Sequence, residues 1–405
     1  MSDSVKNPRS GIFAVLTAFT VCILLCVCLA IFYTEYFGGA NPTYDDTFAI
    51  TAETGEISVS DSDTTEQHVE TIVTNMSLEE KVGQLFMVRS SEDSDVLEVI
   101  RQTRAGGVIL FADDFKQKDR TQVLEMIGQM QAASDGRMLV AVDEEGGTVV
   151  RVSSNPQLRA TKFQSPRELY AEGGLARIVS DTDEKCTLLQ SLGINMNMAP
   201  VADVCTKPSG FMYKRAFGGD AQATAQYVSA VVDEMRRHSL TSCVKHFPGY
   251  GDSKADTHKG LDVNEKSLEE LQESDLVPFA SAIAHGADGI MLTHTVIQAI
   301  DPERPASLSP DVVKMIRTEM GFDGVIVSDG LEMGAVIEYS GDSAQVCIMA
   351  VNAGVDILCV PKDPIEDYKA VVAAVNAGEI PESRIDEAAR RIVELKIKLG
   401  FYEVF

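Results

Sequence analysis

Eight short apolar runs constrain this chain more than any other feature. They are Leu85 to Val88, Gly107 to Phe111, Met138 to Val142, Ile194 to Pro200, Thr241 to Phe247, Gly289 to Thr293, Gly324 to Val327 and Asp356 to Val360. Most are nearly continuous in apolar residues, the pattern of parallel strands covered by helices. Amphipathic stretches separate them, among them Arg120 to Ala133, Ala221 to His238, Ser267 to His285 and Asp311 to Met320. Gly286 and Gly321 stand where helices would stop, and Ser309-Pro310 reads as a cap followed by a first-turn proline. A last helix is expected over Pro381 to Leu399, with Ile385, Ala389, Ile392 and Leu399 on one face and Gly400 ending it. Eight strands alternating with helices are the complement of a closed (β/α)8 barrel, the TIM-type α/β fold. An open doubly wound sheet is the alternative architecture; the strand count and the lack of a GxGxxG turn favour the barrel.

Ahead of the barrel, no charged residue occurs from Ser10 to Thr34, and Gly11 to Tyr33 is long enough to span a bilayer as a helix. Lys6 and Arg9 precede it and Glu35, Asp45 and Asp46 follow, so the positive end stays cytoplasmic and the bulk of the chain lies outside. The competing reading is a secretory signal cleaved near Gly38-Gly39-Ala40. Asn41 to about Gln67 is rich in Thr, Ser, Asp and Glu and reads as a solvated spacer. The expected organisation is a cytoplasmic tail over 1–10, a transmembrane anchor over 11–33, a flexible acidic linker over 34–67 and one barrel domain over 68–405. The expected location is the cell membrane, single-pass with the barrel extracellular, or secreted if the signal is cleaved.

A net charge of −26 over 405 residues argues against nucleic acid as a partner. Of eight cysteines, Cys22, Cys26 and Cys28 fall in the apolar N-terminal run, and the five others are scattered without a CxxC pair. A zinc site is not expected, nor a complete disulfide framework. Cys205, Cys243 and Cys359 fall in expected strands and read as small buried hydrophobes.

In such barrels chemistry sits at the C-terminal ends of the strands. The third run ends Asp143-Glu-Glu-Gly-Gly with Arg151 beyond; the fourth ends Ala199-Pro-Val-Ala-Asp203, and the next loop carries Arg215. The fifth supplies Lys245 and His246, then a Gly-rich loop with Asp256-x-His258; the sixth ends at His294 and the seventh at Ser328-Asp329-Gly330. A carboxylate closing an apolar strand is costly to bury without a partner or a task. An imidazole beside a carboxylate can hold and release a proton near neutral pH. Blander readings exist: a helix cap for Asp329, a loop ion pair for Asp143 with Arg151, and a structural network for Arg215, Lys245 and His246. Asp143, Glu145, His246 and His294 are also conceivable metal ligands, although no convincing ligand spacing is present. No phosphate-cradling GK[ST] loop is visible, and no cofactor is expected.

From about Leu78 to the end, the chain resembles glycoside hydrolase family 3, specifically its single-barrel β-N-acetylhexosaminidase branch. The motifs carrying the resemblance are Asp143-x-Glu-Gly-Gly-x-x-x-Arg151, Ala199-Pro-Val-x-Asp203, Arg215-x-Phe-Gly, Lys245-His246-Phe-Pro-Gly, Asp256-x-His258, Val327-Ser-Asp329 and the terminal Arg384-Ile-Asp386. The resemblance implies that Asp329 is the nucleophile of a retaining reaction, that His258 is the acid/base and that Asp256 orients it. It implies that Asp143, Arg151, Arg215, Lys245 and His246 hold the hydroxyls of a terminal N-acetylglucosamine, with cell-wall fragments as the substrate class. Tyr250 stands where the branch usually has a second histidine, Thr148 replaces a common arginine and Gly330 a frequent aspartate; these bear on substrate preference. Other enzyme readings are an exo-β-glucosidase or xylosidase, and transfer to phosphate in place of water. The non-enzymatic reading is a membrane-tethered sugar-binding protein.

Overall fold

The computed structural model describes residues 60–90, 95–250 and 260–402. Eleven strands occur among them. β1 (Phe86–Arg89), β2 (Gly107–Leu110), β3 (Leu139–Val142), β4 (Met196–Asn197) and β5 (Thr241–Phe247) come first. β6 (Val263–Asn264), β7 (Gly289–Leu292), β8 (Val296–Ile297), β9 (Asp301–Pro305), β10 (Val325–Ser328) and β11 (Leu358–Cys359) follow. Eight of them pair in parallel in the order β10-β7-β5-β4-β3-β2-β1-β11. The two ends of this row meet at a bridge between Val327 and Ile357, giving a nearly closed barrel. Each of the eight apolar runs contributes one barrel strand. β2, β3, β7 and β10 are buried along their whole length, as strands covered by helices outside and packed side chains inside must be. β6, β8 and β9 form a separate small sheet beside the mouth of β5 and β7.

The helices agree with the sequence pattern except where a local residue overrides it. Arg120–Ala133 and Ala221–Arg237 are continuous, and Ser309 caps its helix by accepting from the Val312 N–H. The stretch expected as one helix over Ser267 to His285 is two, Leu268–Glu273 and Leu276–Ala284. Pro278 has no N–H to give and is tolerated only in a first turn, so a new helix begins just ahead of it. Asp311 to Met320 is also divided, into an α-helix Pro310–Lys314 and a wider π-turn Met315–Glu319. The first described helix, Ser60–Thr74, reaches back into the stretch read as linker. Val69 and Val73 on it are buried against Ala389 and Val393 of the final helix, Glu382–Lys398. The anchor read over Gly11 to Tyr33 lies outside the described residues; among those described, no helix is long and apolar enough to cross a membrane. Cys186, Cys205, Cys243, Cys347 and Cys359 are free and buried.

The barrel closes around one carboxylate. Asp356, fully buried just before β11, accepts the Ile326 N–H of β10 at 2.9 Å. It also takes Arg384 at 2.6 Å, Arg391 at 3.3 Å and Arg317 from the π-turn. Arg317 in turn donates to the carbonyls of Phe322 and Gly324 ahead of β10. Burial, only partly offset by Asp356, pulls the Arg317 guanidinium down to about 10. Replacing Asp356 with Asn leaves the largely buried Arg317 and Arg391 without a salt-bridge partner among the described residues, and leaves Arg384 only Glu387. Asp356→Asn is therefore expected to lower unfolding stability by about 3–5 kcal/mol, the usual cost of breaking a buried pair. A urea titration checks this; a midpoint within error of wild type refutes the closure role.

Candidate active site

The third strand ends in a turn that only glycine can make. Gly146 and Gly147 have φ of +104° and +65°, and a Cβ on Gly146 would come within 2.2 Å of the Gln164 carbonyl. The turn lets three successive acids diverge. Glu144 points into the protein, where it accepts the N–H groups of Arg151 and Val152 and the Ser153 hydroxyl and so fixes the 3-10 turn Val152–Ser154. Asp143 and Glu145 turn toward β5.

On β5, alternation would send Lys245 and His246 to opposite faces. The register against β7 shifts between Lys245 and Phe247, and both side chains line the same cavity. Lys245 is buried and its Nζ lies 2.6 Å from Asp143 Oδ1 and 2.7 Å from Glu145 Oε1. Arg215 grips Glu145 with two nitrogens, at 2.6 and 3.0 Å, and Arg151 reaches Asp143 at 3.3 Å. Burial alone would push both carboxyls up and the ammonium down. For Asp143 it is outweighed by Lys245 and Arg151, and for Glu145 by Arg215 and Lys245, so both carboxyls are held below the usual range. Lys245 is likewise held above its usual value against burial, by Asp143 and Glu145.

His246 has a defined tautomer. Its Nε2 is 3.3 Å from Arg215 Nη2, which can only donate, so Nε2 accepts. The proton therefore sits on Nδ1, which donates to Asp203 Oδ2 at 2.8 Å. Asp203, fully buried, also accepts the backbone N–H groups of His246 and Tyr250. The Tyr250 ring meets the His246 imidazole edge-on, with centroids 5.2 Å apart.

Asp329 closes β10 and faces the same cavity. Its Oδ1 accepts the Gly330 N–H at 2.8 Å. Burial would raise its carboxyl most, yet His294, His246, the Gly330 N–H and Lys245 together hold it below the ordinary value. His294 is fixed from both sides, its Nε2 on the Gly330 carbonyl at 2.9 Å and its Nδ1 on the Ser307 hydroxyl at 2.7 Å. A Cβ on Gly330 would meet Met333 at 3.6 Å, an ordinary contact, so space does not demand glycine there.

Asp143, Arg151, Arg215, Lys245, His246 and Asp329 thus line one cavity of about 240 Å³, with Phe111, Phe211 and Tyr250 among its walls. Asp256 and His258 lie outside the described residues. Thr148 is exposed and does not line the cavity. The four conceivable metal ligands are otherwise engaged, Asp143 and Glu145 on Lys245, His246 on Asp203, and His294 on Ser307 and Gly330. Among the described residues, the group with ligand-like spacing is Asp183, Glu234 and His238, on two outer helices away from this cavity. Sequence reasoning gave Glu145 and His294 no role beyond conceivable metal ligation, and gave Asp203 none. The signal was present for Asp203, which like Asp329 ends an apolar run and would be costly to bury alone.

The family model of the glycosyl hydrolase family 3 N terminal domain matches residues 77–395. The β-hexosaminidase of Pseudomonas aeruginosa (strain LESB58) is 33% identical over 295 residues, covering 71% of this chain and 84% of that protein. The structure of a family 3 β-N-acetylglucosaminidase from Paenibacillus sp. str. FPU-7 superposes with a TM-score of 0.75 at 32% identity and 80% coverage of this chain. This chain spans 63% of that larger protein. The β-N-acetylhexosaminidase of Beutenbergia cavernae DSM 12333 superposes with a TM-score of 0.72 at 30% identity, over 80% of this chain and 99% of that one. The chain belongs to glycoside hydrolase family 3.

Proposed function

We propose that this chain is a retaining, exo-acting β-N-acetylglucosaminidase that removes terminal β-linked N-acetylglucosamine, with cell-wall (peptidoglycan) fragments as its substrate class. The observation that carries the reading is Asp329. It is a carboxylate kept ionised at a strand end, in a cavity sized for one sugar and ringed by Asp143, Arg151, Arg215, Lys245 and His246. Charged donors and acceptors of that kind bind sugar hydroxyls strongly and fix the ring's position. The β-hexosaminidases and β-N-acetylglucosaminidases among its relatives support the N-acetyl specificity.

In the proposed reaction Asp329 attacks the anomeric carbon. The bond to the leaving oxygen breaks, and that oxygen takes a proton from His258. Water then attacks the same carbon, gives a proton to His258 and releases Asp329 from the glycosyl ester. Two inversions leave the configuration unchanged. Asp256 orients the His258 imidazole, an assignment supported by the Asp-x-His spacing and the family motif. The N-terminal apolar run, Gly11 to Tyr33, would hold the enzyme on the outer face of the membrane.

The first test compares aryl β-N-acetylglucosaminide with aryl β-glucoside, with and without phosphate. Turnover of the first alone is expected; turnover of the glucoside alone, or phosphate-dependent release of a sugar phosphate, overturns the reading. Asp329→Ala should reduce kcat by about 10⁴-fold or more, the order seen when a nucleophile is removed. Azide should restore turnover of an activated aryl substrate in that variant and give the α-glycosyl azide; a β-azide would remove Asp329 from the nucleophile role. Because Asp329 titrates below the ordinary carboxylate value of 3.8, its ionised form persists as pH falls to that value. No acid limb in kcat/KM above pH ~5 should then trace to it.

His258→Ala should cost about 10²–10⁴-fold on substrates with poor leaving groups and far less on activated aryl glycosides, which need little protonation. Its alkaline limb, where the imidazole loses its proton, should disappear. Equal losses on both substrates would refute the acid role.

A further inference from the structure

A second cavity, of about 610 Å³, lies at the opposite end of the barrel from the mouth. Its walls include Gln84, Ala105 and Arg137, the residues just ahead of β1, β2 and β3. The first and last helices add Ile72 and Lys396.

Charge is distributed there in an unusual way for so acidic a chain. Four cations, Arg101, Arg104, Arg137 and Lys396, face two carboxylates, Glu80 and Asp135. Glu80 pairs with Arg104 at 3.3 Å, and Arg101 pairs outside the cavity with Glu98. Arg137 lies over the Tyr402 ring, 4.9 Å from its centroid, and no ion pair to it occurs among the described residues. Lys396 is the odd member. It is 1% exposed, and its Nζ donates to the neutral Gln84 amide oxygen at 2.6 Å, with no carboxylate salt-bridged to it among the described residues. Burial and then the neighbouring Arg137 charge pull its ammonium down to about 7. Lys245 at the other end of the barrel is buried to the same degree, but two carboxylates hold its charge.

A buried ammonium without a counter-charge is costly, and a second unpaired cation beside it adds repulsion. The missing element is negative. We propose that the basal cavity binds a multiply charged oxyanion of the phosphate or phosphate-ester class, held by Lys396 and Arg137. The Arg101 and Arg104 side chains line the approach. The cavity is within the size range of small-molecule sites, so an organic phosphate fits as well as the free ion. The ligand would bridge the final helix, the first helix and the base of the barrel, and would stabilise the fold through linkage. It sits at the opposite end from Asp329, so the inference does not depend on the proposed reaction.

The test is the melting temperature of the full chain at pH 7 in inorganic phosphate, against chloride of matched ionic strength. Phosphate also stabilises proteins generally through exclusion from their surface, so the reading is the difference between wild type and variants. Wild type should gain about 2 °C or more over chloride at 50 mM phosphate. Arg137→Gln, an exposed substitution that leaves the core untouched, should lose at least half of that gain. Lys396→Met, which keeps the buried volume, should do the same. An equal gain in all three proteins, or none in wild type, overturns the proposal.

Discussion

The mouth of this barrel depends on a single buried ammonium. Lys245 sits at the end of β5 with Asp143 and Glu145 both on its Nζ, and Arg151 and Arg215 hold the far sides of those carboxylates. Such a network is weak evidence for stability, since desolvating five charges costs several kcal/mol each before their attraction repays it. Its consequence is geometric and electrostatic. The ion pairs orient the charged groups of the network, so a polar ligand meets groups that need little reorganisation. The network also carries three positive charges against two negative ones. Lys245 is among the groups that keep Asp329 ionised against its burial, so the charge state of one strand end follows from the contents of another.

That arrangement requires departures from regular structure. A regular β5 could not present adjacent Lys245 and His246 to one cavity; the register shift against β7 allows it. A regular turn after β3 could not send Glu144 inward and Glu145 sideways within two residues; the positive-φ glycines do. Behind both, Asp203 accepts a ring N–H and two backbone N–H groups and fixes His246 and the start of the following loop together. Beneath the mouth, β2, β3, β7 and β10 remain fully buried and regular.

The fold was largely legible because its dominant signal is physical and local. Parallel strands buried on both faces must be continuous apolar runs, and eight such runs gave eight barrel strands. The misses have other, local causes. Pro278 divided the run from Ser267 to His285, and the π-turn at Met315–Glu319 widened a helix that aims Arg317 at Asp356. The small sheet of β6, β8 and β9 has strands of two to five residues with Asp301, Glu303 and Arg304 in the longest, so no apolar period announced it. At the site, motifs marked the residues on each strand end, and the Asp143–Arg151 pair was legible, but the rest of the pairing could not be read from them. That Glu145 joins Arg215 to Lys245, and that Asp203 orients His246, depends on which strand ends adjoin and which way a glycine turn points.

The two ends of the barrel meet the same physical demand in different ways. At the mouth, Lys245 is buried with two carboxylates supplied by the chain itself, and its charge is secured. At the base, Lys396 is buried as deeply with an amide for company, and burial and the neighbouring Arg137 charge pull its ammonium down to about 7. A chain with 61 acidic residues has no shortage of carboxylates to place beside a lysine. Methionine would fill the same volume without the cost, and an aspartate in place of Gln84 would remove it. A buried charge that is neither replaced nor compensated within the chain is explained most directly by a counter-charge from outside it.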